Sequence, residues 1–178
     1  KNKSDWSQVY SPLLDAAPTR FLSFHPQDSN TVYAGFDVYD SSGVIATSLG
    51  MISSDKGLTW TELSGRSIRA VYPKNGDIIY AIELQGATAT ASLLWRSQDK
   101  GVTWLNLGVN PFKSPAEMDI DPQNPDILYA ATGSGIYKFD GLTRMWIEIG
   151  KSHGIPADLD VTTGNSLFAA RSVTVDPT

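Results

Sequence analysis

Ser53-Ser-Asp-Lys-Gly-Leu-Thr-Trp60 and Ser97-Gln-Asp-Lys-Gly-Val-Thr-Trp104 are two copies of one eight-residue string, set 44 residues apart. Self-similarity at that period predicts a repeat architecture, in which each unit buries its apolar face only against a neighbour. The shared positions read as a hairpin corner. Asp55 and Asp99 can accept backbone N–H groups two residues on and close a tight turn. Gly57 and Gly101 supply the positive φ that a side chain would penalise. Thr59 and Thr103 are expected to open the returning strand, across from Ser53 and Ser97, and Trp60 and Trp104 to enter it as apolar anchors. Truncating a well-buried Trp to Ala costs about 3–5 kcal/mol.

The S-x-D-x-G-x-T-W string resembles the Asp-box, or BNR repeat, found in β-propellers such as sialidases, xyloglucanases, sortilin-type receptors and photosystem II assembly factors. The resemblance implies an all-β propeller of four-stranded antiparallel blades. It also implies that the box is a structural turn away from the ligand face. Ser53, Asp55, Gly57, Thr59, Trp60, Ser97, Asp99, Gly101, Thr103 and Trp104 are therefore assigned to the scaffold.

Outward from the box, a second signature recurs. Arg20-Phe-Leu-Ser-Phe24 leads through His25-Pro26 to Thr31-Val-Tyr-Ala-Gly35. Ile68-Arg-Ala-Val71 leads through Tyr72-Pro73 to Ile78-Ile-Tyr-Ala81, and Met118-Asp-Ile120 through Asp121-Pro122 to Ile127-Leu-Tyr-Ala-Ala131. Each is a short apolar strand, a Pro/Asn/Gly turn and a second strand, which is a hairpin signal, and Tyr33, Tyr80 and Tyr129 coincide. Asp158 to Ala170 matches Asp119 to Ala131 without a gap, with Phe168 at the Tyr position. Third strands are expected at Met51–Ser53, Leu94–Ser97 and Gly135–Phe139. Fourth strands begin at Trp60, Trp104 and Trp146, the last after a degenerate box, Phe139-Asp-Gly-Leu-Thr-Arg-Met-Trp146.

About 45 residues carrying four strands is the size of one propeller blade. The expected division is one propeller domain, or a portion of one, over 1–178. It has blades at about 19–64, 67–108 and 116–150, an orphan outer strand at 5–10 beginning near Trp6, and a partial blade at 156–178. That outer strand could complete the last blade and close the ring. Ser172-Val-Thr-Val-Asp-Pro177 resembles the start of a further hairpin, which points instead to a larger ring with sequence missing near 171–172 or beyond 178.

Composition narrows the function classes. Hydrophobic content of 41% and five Trp suit a packed globule, and no apolar run is long enough to span a membrane. A net charge of −5 and no basic stripe argue against a phosphate-backbone partner, so no nucleic acid is expected. With no Cys there are no disulfides, thiolate nucleophiles or Cys-based metal sites. His25 reads as a turn residue and His153 lies in a Gly-rich connection, so two separated His make no metal site. No cofactor is expected: Thr132-Gly-Ser-Gly-Ile lacks the Lys and helix of a phosphate loop.

Ligand-face loops of a propeller lead into innermost strands or join second to third strands. They are expected at Thr61–Ser67, Asn106–Glu117, Glu148–Ala157, Gly35–Thr47, Glu83–Ala91 and Thr132–Gly135. Asp37, Asp40, Glu83, Glu117 and Asp158 are the acids in or beside them. A glycosidase needs two such carboxylates facing one sugar, but five acids on the loops of an acidic protein do not single out a pair. Sialidase relatives need three arginines on separate blades. Arg20, Arg66, Arg69, Arg144 and Arg171 are present, while the family's Phe-Arg-Ile-Pro motif is not. Two functions stay open. The first is a non-catalytic binding or scaffold module presenting a rigid loop face to a protein or glycan, favoured because no complete catalytic constellation is visible. The second is a fragment of a xyloglucanase- or sialidase-like glycoside hydrolase. Because relatives with this repeat are commonly exported, an extracellular or periplasmic location is expected.

Overall fold

The computed structural model describes residues 19–85, 90–149 and 175. The expectations for 5–10, Asp158 and most of 156–178 lie outside these residues. The described chain is all β. Three four-stranded antiparallel sheets follow one another, each a simple meander: β1 (Thr19–Phe24), β2 (Val32–Tyr39), β3 (Ile45–Ser53) and β4 (Thr61–Ser64); β5 (Ser67–Val71), β6 (Ile79–Leu84), β7 (Ser92–Ser97) and β8 (Leu105–Asn110); β9 (Glu117–Ile120), β10 (Ile127–Thr132), β11 (Gly135–Asp140) and β12 (Met145–Glu148). They are successive blades of a β-propeller, with β1, β5 and β9 innermost.

Period-2 alternation assigns each strand a face towards either neighbour. In the second blade Ile68 and Ile79 point back at Tyr33 of the first, and Phe21, Ile52, Leu63 and Trp104 pack round this cluster. Tyr80, Ile82, Leu94 and Leu107 point onward and meet Met118, Ile120, Leu128, Ala130 and Phe139 of the third blade. Phe112 and Trp146 close this second core edge to face, with ring centroids 5.0 Å apart. On its other face the first blade buries Ala34, Phe36 and Met51 under Trp60. The box tryptophans are thus half-buried anchors, Trp104 between two blades and Trp60 on its own sheet.

Blades approach closely because small residues allow it. A Cβ built on Gly35 would lie 2.0 Å from the Ile68 carbonyl oxygen of the next blade. Polar groups seal the same seams. Tyr33 donates its hydroxyl to the Gly76 carbonyl at 2.9 Å, and Tyr80 donates to that of Pro125 at 2.7 Å. Burial pushes both phenols well above their ordinary value, so they remain protonated donors. His25 is more than a turn residue. Its Nδ1 accepts the N–H groups of Gln27 and Asp28 while Nε2 faces Asp77 of the second blade at 3.0 Å. A bare Nδ1 leaves the proton on Nε2, which donates across the seam.

Two loop expectations are corrected. Gly35–Thr47 is not a long loop: β2 runs to Tyr39, β3 starts at Ile45, and a tight turn joins them through Asp40 N to Val44 O at 2.8 Å. Burial is continuous from Val32 to Val38, and the ladder runs past the glycine with it. Likewise β4 and β8 reach into Thr61–Ser67 and Asn106–Glu117, which shortens both connections.

Candidate functional site

Two lone arginines stand on innermost strands, Arg20 in β1 and Arg69 in β5. Strand pairing slips at each, between Thr19 and Phe21 and between Ile68 and Ala70. A bulge inserts one unpaired residue and re-aims its side chain. Here both arginines reach one carboxylate. Asp37, on the β2 face turned to the second blade, accepts from Arg20 Nε at 3.1 Å, from Arg69 Nη2, and from Ser114 Oγ at 3.2 Å. Ser114 lies on the connection into the third blade and also accepts from Arg69 Nη2 at 3.3 Å. Arg20 further donates to the Tyr39 hydroxyl.

The cluster therefore ties three blades together near the axis, at the end where innermost strands begin. Asp37 is 1% and Arg69 2% exposed, whereas the Arg20 side chain is 38% exposed and forms the lid. Two guanidinium groups face one carboxylate, leaving an excess positive charge. Burial pushes the Arg69 guanidinium down from its ordinary value, with the Asp37 charge acting against that shift. Arg69 Nε and Nη1 find no acceptor among the described residues. Sequence reasoning named both arginines only for a sialidase triad and missed Ser114. The available signal was Arg69 itself, a charge inside the short strand Ser67-Ile-Arg-Ala-Val71, since a buried charge must be paired.

The other candidate acids go elsewhere. Asp40 accepts the N–H groups of Ser42 and Val44 and shapes its own hairpin. Glu83 lies 3.9 Å from Arg66 Nε, and that guanidinium sits 4.2 Å over the Trp95 ring. Glu117 opens β9 opposite Ala131. Among the described residues no three His, Asp or Glu side chains gather as a metal would require, and no helix is long and apolar enough to cross a membrane. An open groove of about 210 Å³ on the outer part of the second blade is lined by Arg96, Gln98, Thr103, Trp104 and Leu105. It contains no acid.

The two box turns differ in detail from the expected corner. Asp55 Oδ1 accepts Thr59 N at 2.8 Å, and Oδ2 accepts the Thr59 hydroxyl at 2.6 Å. The N–H two residues on, that of Gly57, goes instead to Ser53 Oγ at 2.8 Å, while Ser53 donates to Asp55. Asp99, Thr103, Gly101 and Ser97 repeat every contact. The threonines thus lie in the turn, and the strands start later, at Thr61 and Leu105. Gly57 and Gly101 have φ of 88° and 87°, and the preceding Lys56 and Lys100 are also left-handed, at 64° and 57°. Each corner is tied to the hairpin turn of its own blade, Lys56 N to Asn30 O and Lys100 N to Asp77 O. Gly141 N to Asp126 O does the same in the third blade.

These turns make acid lability predictable. The threonine hydroxyl first, then its N–H and the serine, hold the Asp55 and Asp99 carboxyls down at about 2. The folded value lies below the unfolded one, near 3.9. The stability each contributes is therefore complete above about pH 5 and is lost as pH falls towards 2. The thermal midpoint is expected to drop between about pH 4 and pH 2, and to drop less in an Asp55→Asn/Asp99→Asn double variant. Parallel pH profiles for the two proteins would show that the turns are not responsible.

Sheets of this order and packing define the chain as β-propeller in class. No protein-family model matches it. Among curated proteins it is similar to the xyloglucanase Xgh74A of Acetivibrio thermocellus, 27% identical over 173 residues, a match covering 85% of this chain and 18% of that protein. The chain thus spans under a fifth of the length of the curated relatives it matches. Among solved structures it is similar to an ancestral GH74 enzyme and to the GH74 xyloglucanase from Xanthomonas campestris. Both have 18% identity and a TM-score of 0.53, covering 74% of this chain and 18% and 22% of theirs. At that identity the likeness shows the fold.

Proposed function

We propose that this chain is a blade segment of a propeller glycoside hydrolase acting on xyloglucan or a related plant β-glucan. The observation that carries this reading is the 27% identity to a xyloglucanase across 85% of the chain. It favours the hydrolase alternative over the non-catalytic module preferred from sequence alone. In this reading the blades are Asp-box blades, the three described ones form part of a larger ring, and the protein works outside the cytoplasm, where its polymer is.

The residue assigned to the sugar is Asp37. Glycoside hydrolysis uses two carboxylates flanking the scissile bond, and Asp37 is the acid held in common by the innermost strands of two blades. Arg69 and Ser114 fix its orientation from below, and the half-exposed Arg20 is the group a substrate would displace to reach it. The second carboxylate comes from elsewhere in the protein. One observation favours the non-catalytic module instead: both Asp37 oxygens are already engaged.

The experiment is reducing-end release from xyloglucan by the full-length protein, with electrophoresis through xyloglucan-containing gels alongside. The hydrolase reading expects turnover that Asp37→Asn lowers by about 10²–10⁴-fold, with gel retardation retained. Retardation without turnover returns the chain to the binding-module class. Neither signal, on any β-glucan, overturns the polysaccharide reading.

A further inference from the structure

The groove on the outer part of the second blade is built from residues that the repeat does not require. It is lined by Arg96, Gln98, Thr103, Trp104 and Leu105 and holds about 210 Å³. The first blade has the same corner, yet 44 residues earlier it carries Ile52, Ser54 and Thr61 in the places of Arg96, Gln98 and Leu105. Ladder pairing confirms the match, since Ile52 lies opposite Tyr33 and Arg96 opposite Tyr80. Thr103 and Trp104 belong to the turn, and the other three are particular to this blade.

The lining offers hydrogen bonds in both senses. The Gln98 side chain is exposed and has no hydrogen bond among the described residues, so its amide presents both donors and an acceptor. Thr103 donates its hydroxyl proton to Asp99 Oδ2 at 2.6 Å and keeps its lone pairs. Arg96 spends Nη1 on Asp126, while its Nε has no acceptor among the described residues. Trp104 gives its N–H to the Gly101 carbonyl at 2.9 Å, so the indole brings only apolar surface to the groove. Leu105 extends that surface and is 52% exposed.

Charge narrows the ligand. A cation would meet Arg96 and no acid in the lining. An anion would meet Asp99 behind Thr103, and an Arg96 already paired with Asp126. A neutral ring with hydroxyls at its rim and C–H groups on its faces satisfies both halves of the lining, polar groups fixing orientation over apolar walls. Pockets that enclose a whole small molecule run to about 300–1,000 Å³. This smaller, open groove takes one unit of an extended polymer instead. It is also remote from the axial cluster: Val32, not Asp37, is the β2 residue that pairs with the box serine Ser53 at the corner end of the sheet.

We infer that this groove is a second polysaccharide contact, seating one pyranose unit of a neutral β-glucan at the end of the blade opposite Asp37. The inference rests on the polysaccharide reading for its ligand and is independent of whether the chain is catalytic. It gives the protein a hold on the polymer that does not compete with the axial end.

The test is electrophoresis of the full-length protein through gels containing xyloglucan, in an Asp37→Asn background so that the polymer is not consumed. Gln98→Ala/Leu105→Ala changes two exposed side chains and is expected to weaken retention about two- to ten-fold, the worth of one such contact. Ser54→Ala/Thr61→Ala, at the same corner of the first blade, should leave retention as it was. Unchanged retention in Gln98→Ala/Leu105→Ala overturns the inference, and so does an equal loss in Ser54→Ala/Thr61→Ala. Turnover of xyloglucan by the protein with Asp37 intact is read separately. Turnover beside unchanged retention therefore sinks the groove alone, whereas neither turnover nor retention on any β-glucan sinks the polysaccharide reading and the groove with it.

Discussion

Replacing Arg69 with Met is expected to cost about 3–5 kcal/mol of folding stability, the range seen when one partner of a buried ion pair is removed. Asp37 is as buried as Arg69, so the variant leaves a carboxylate in the seam facing only the lid arginine and a serine. Arg20 cannot substitute for it, since its side chain is 38% exposed and its attraction is screened by water. The matching variant Arg20→Met should accordingly cost no more than about 1 kcal/mol. Adding Asp37→Leu to Arg69→Met should restore most of the loss, because two apolar groups of similar size replace a buried pair at little net cost. Urea unfolding of the three variants and the double mutant closes the cycle. If Arg69→Met costs as little as Arg20→Met, the cluster is not what joins the blades at the axis.

Phe139→Ala should be about as severe, roughly 3–5 kcal/mol. Phe139 is 1% exposed. It lies opposite Leu128 on one side and Trp146 on the other, with the Trp146 ring centroid 5.1 Å away. Truncation opens a cavity in the core that the second and third blades share, and a sheet held by strands on both sides cannot collapse into it. Because the apolar core of each seam is shared by adjacent blades, the damage should be local first. Amide exchange along β10 and β11 should accelerate well before that of β2 and β3. A cost under about 1.5 kcal/mol, or exchange rising equally in all blades, would mean that the seam repacks and that the blades do not behave as separate units.

Repetition made the fold legible. Tyr33, Tyr80 and Tyr129 align in sequence, and each lies on the second strand of its sheet. The tryptophans mark the starts of outer strands, even after the irregular corner at Asp140. The axial cluster was much less legible. Asp37 reads as a loop acid because Gly35 reads as the end of the strand, while the ladder continues through buried Phe36 and Val38. The bulges that turn Arg20 and Arg69 towards it have no residue signature, and Ser114 reaches it only through folding of the chain between two blades. The box serines show the same limit: as cross-strand neighbours they are expected opposite Thr59 and Thr103, whereas within the turn they bond to Asp55, Asp99 and the Gly57 and Gly101 N–H groups.

Tyr33 and Tyr80 both donate in one sense, from the earlier blade to the later. The stack therefore has a polarity, with the phenol on the earlier blade and the turn carbonyl on the later at both described seams. Ser29, four residues before Tyr33, occupies that acceptor position in the first blade. A blade packed before the first and built to the same rule would offer its tyrosine to Ser29, and a head-to-tail contact of this kind gives either a closed ring or an unending filament, according to the rotation per blade.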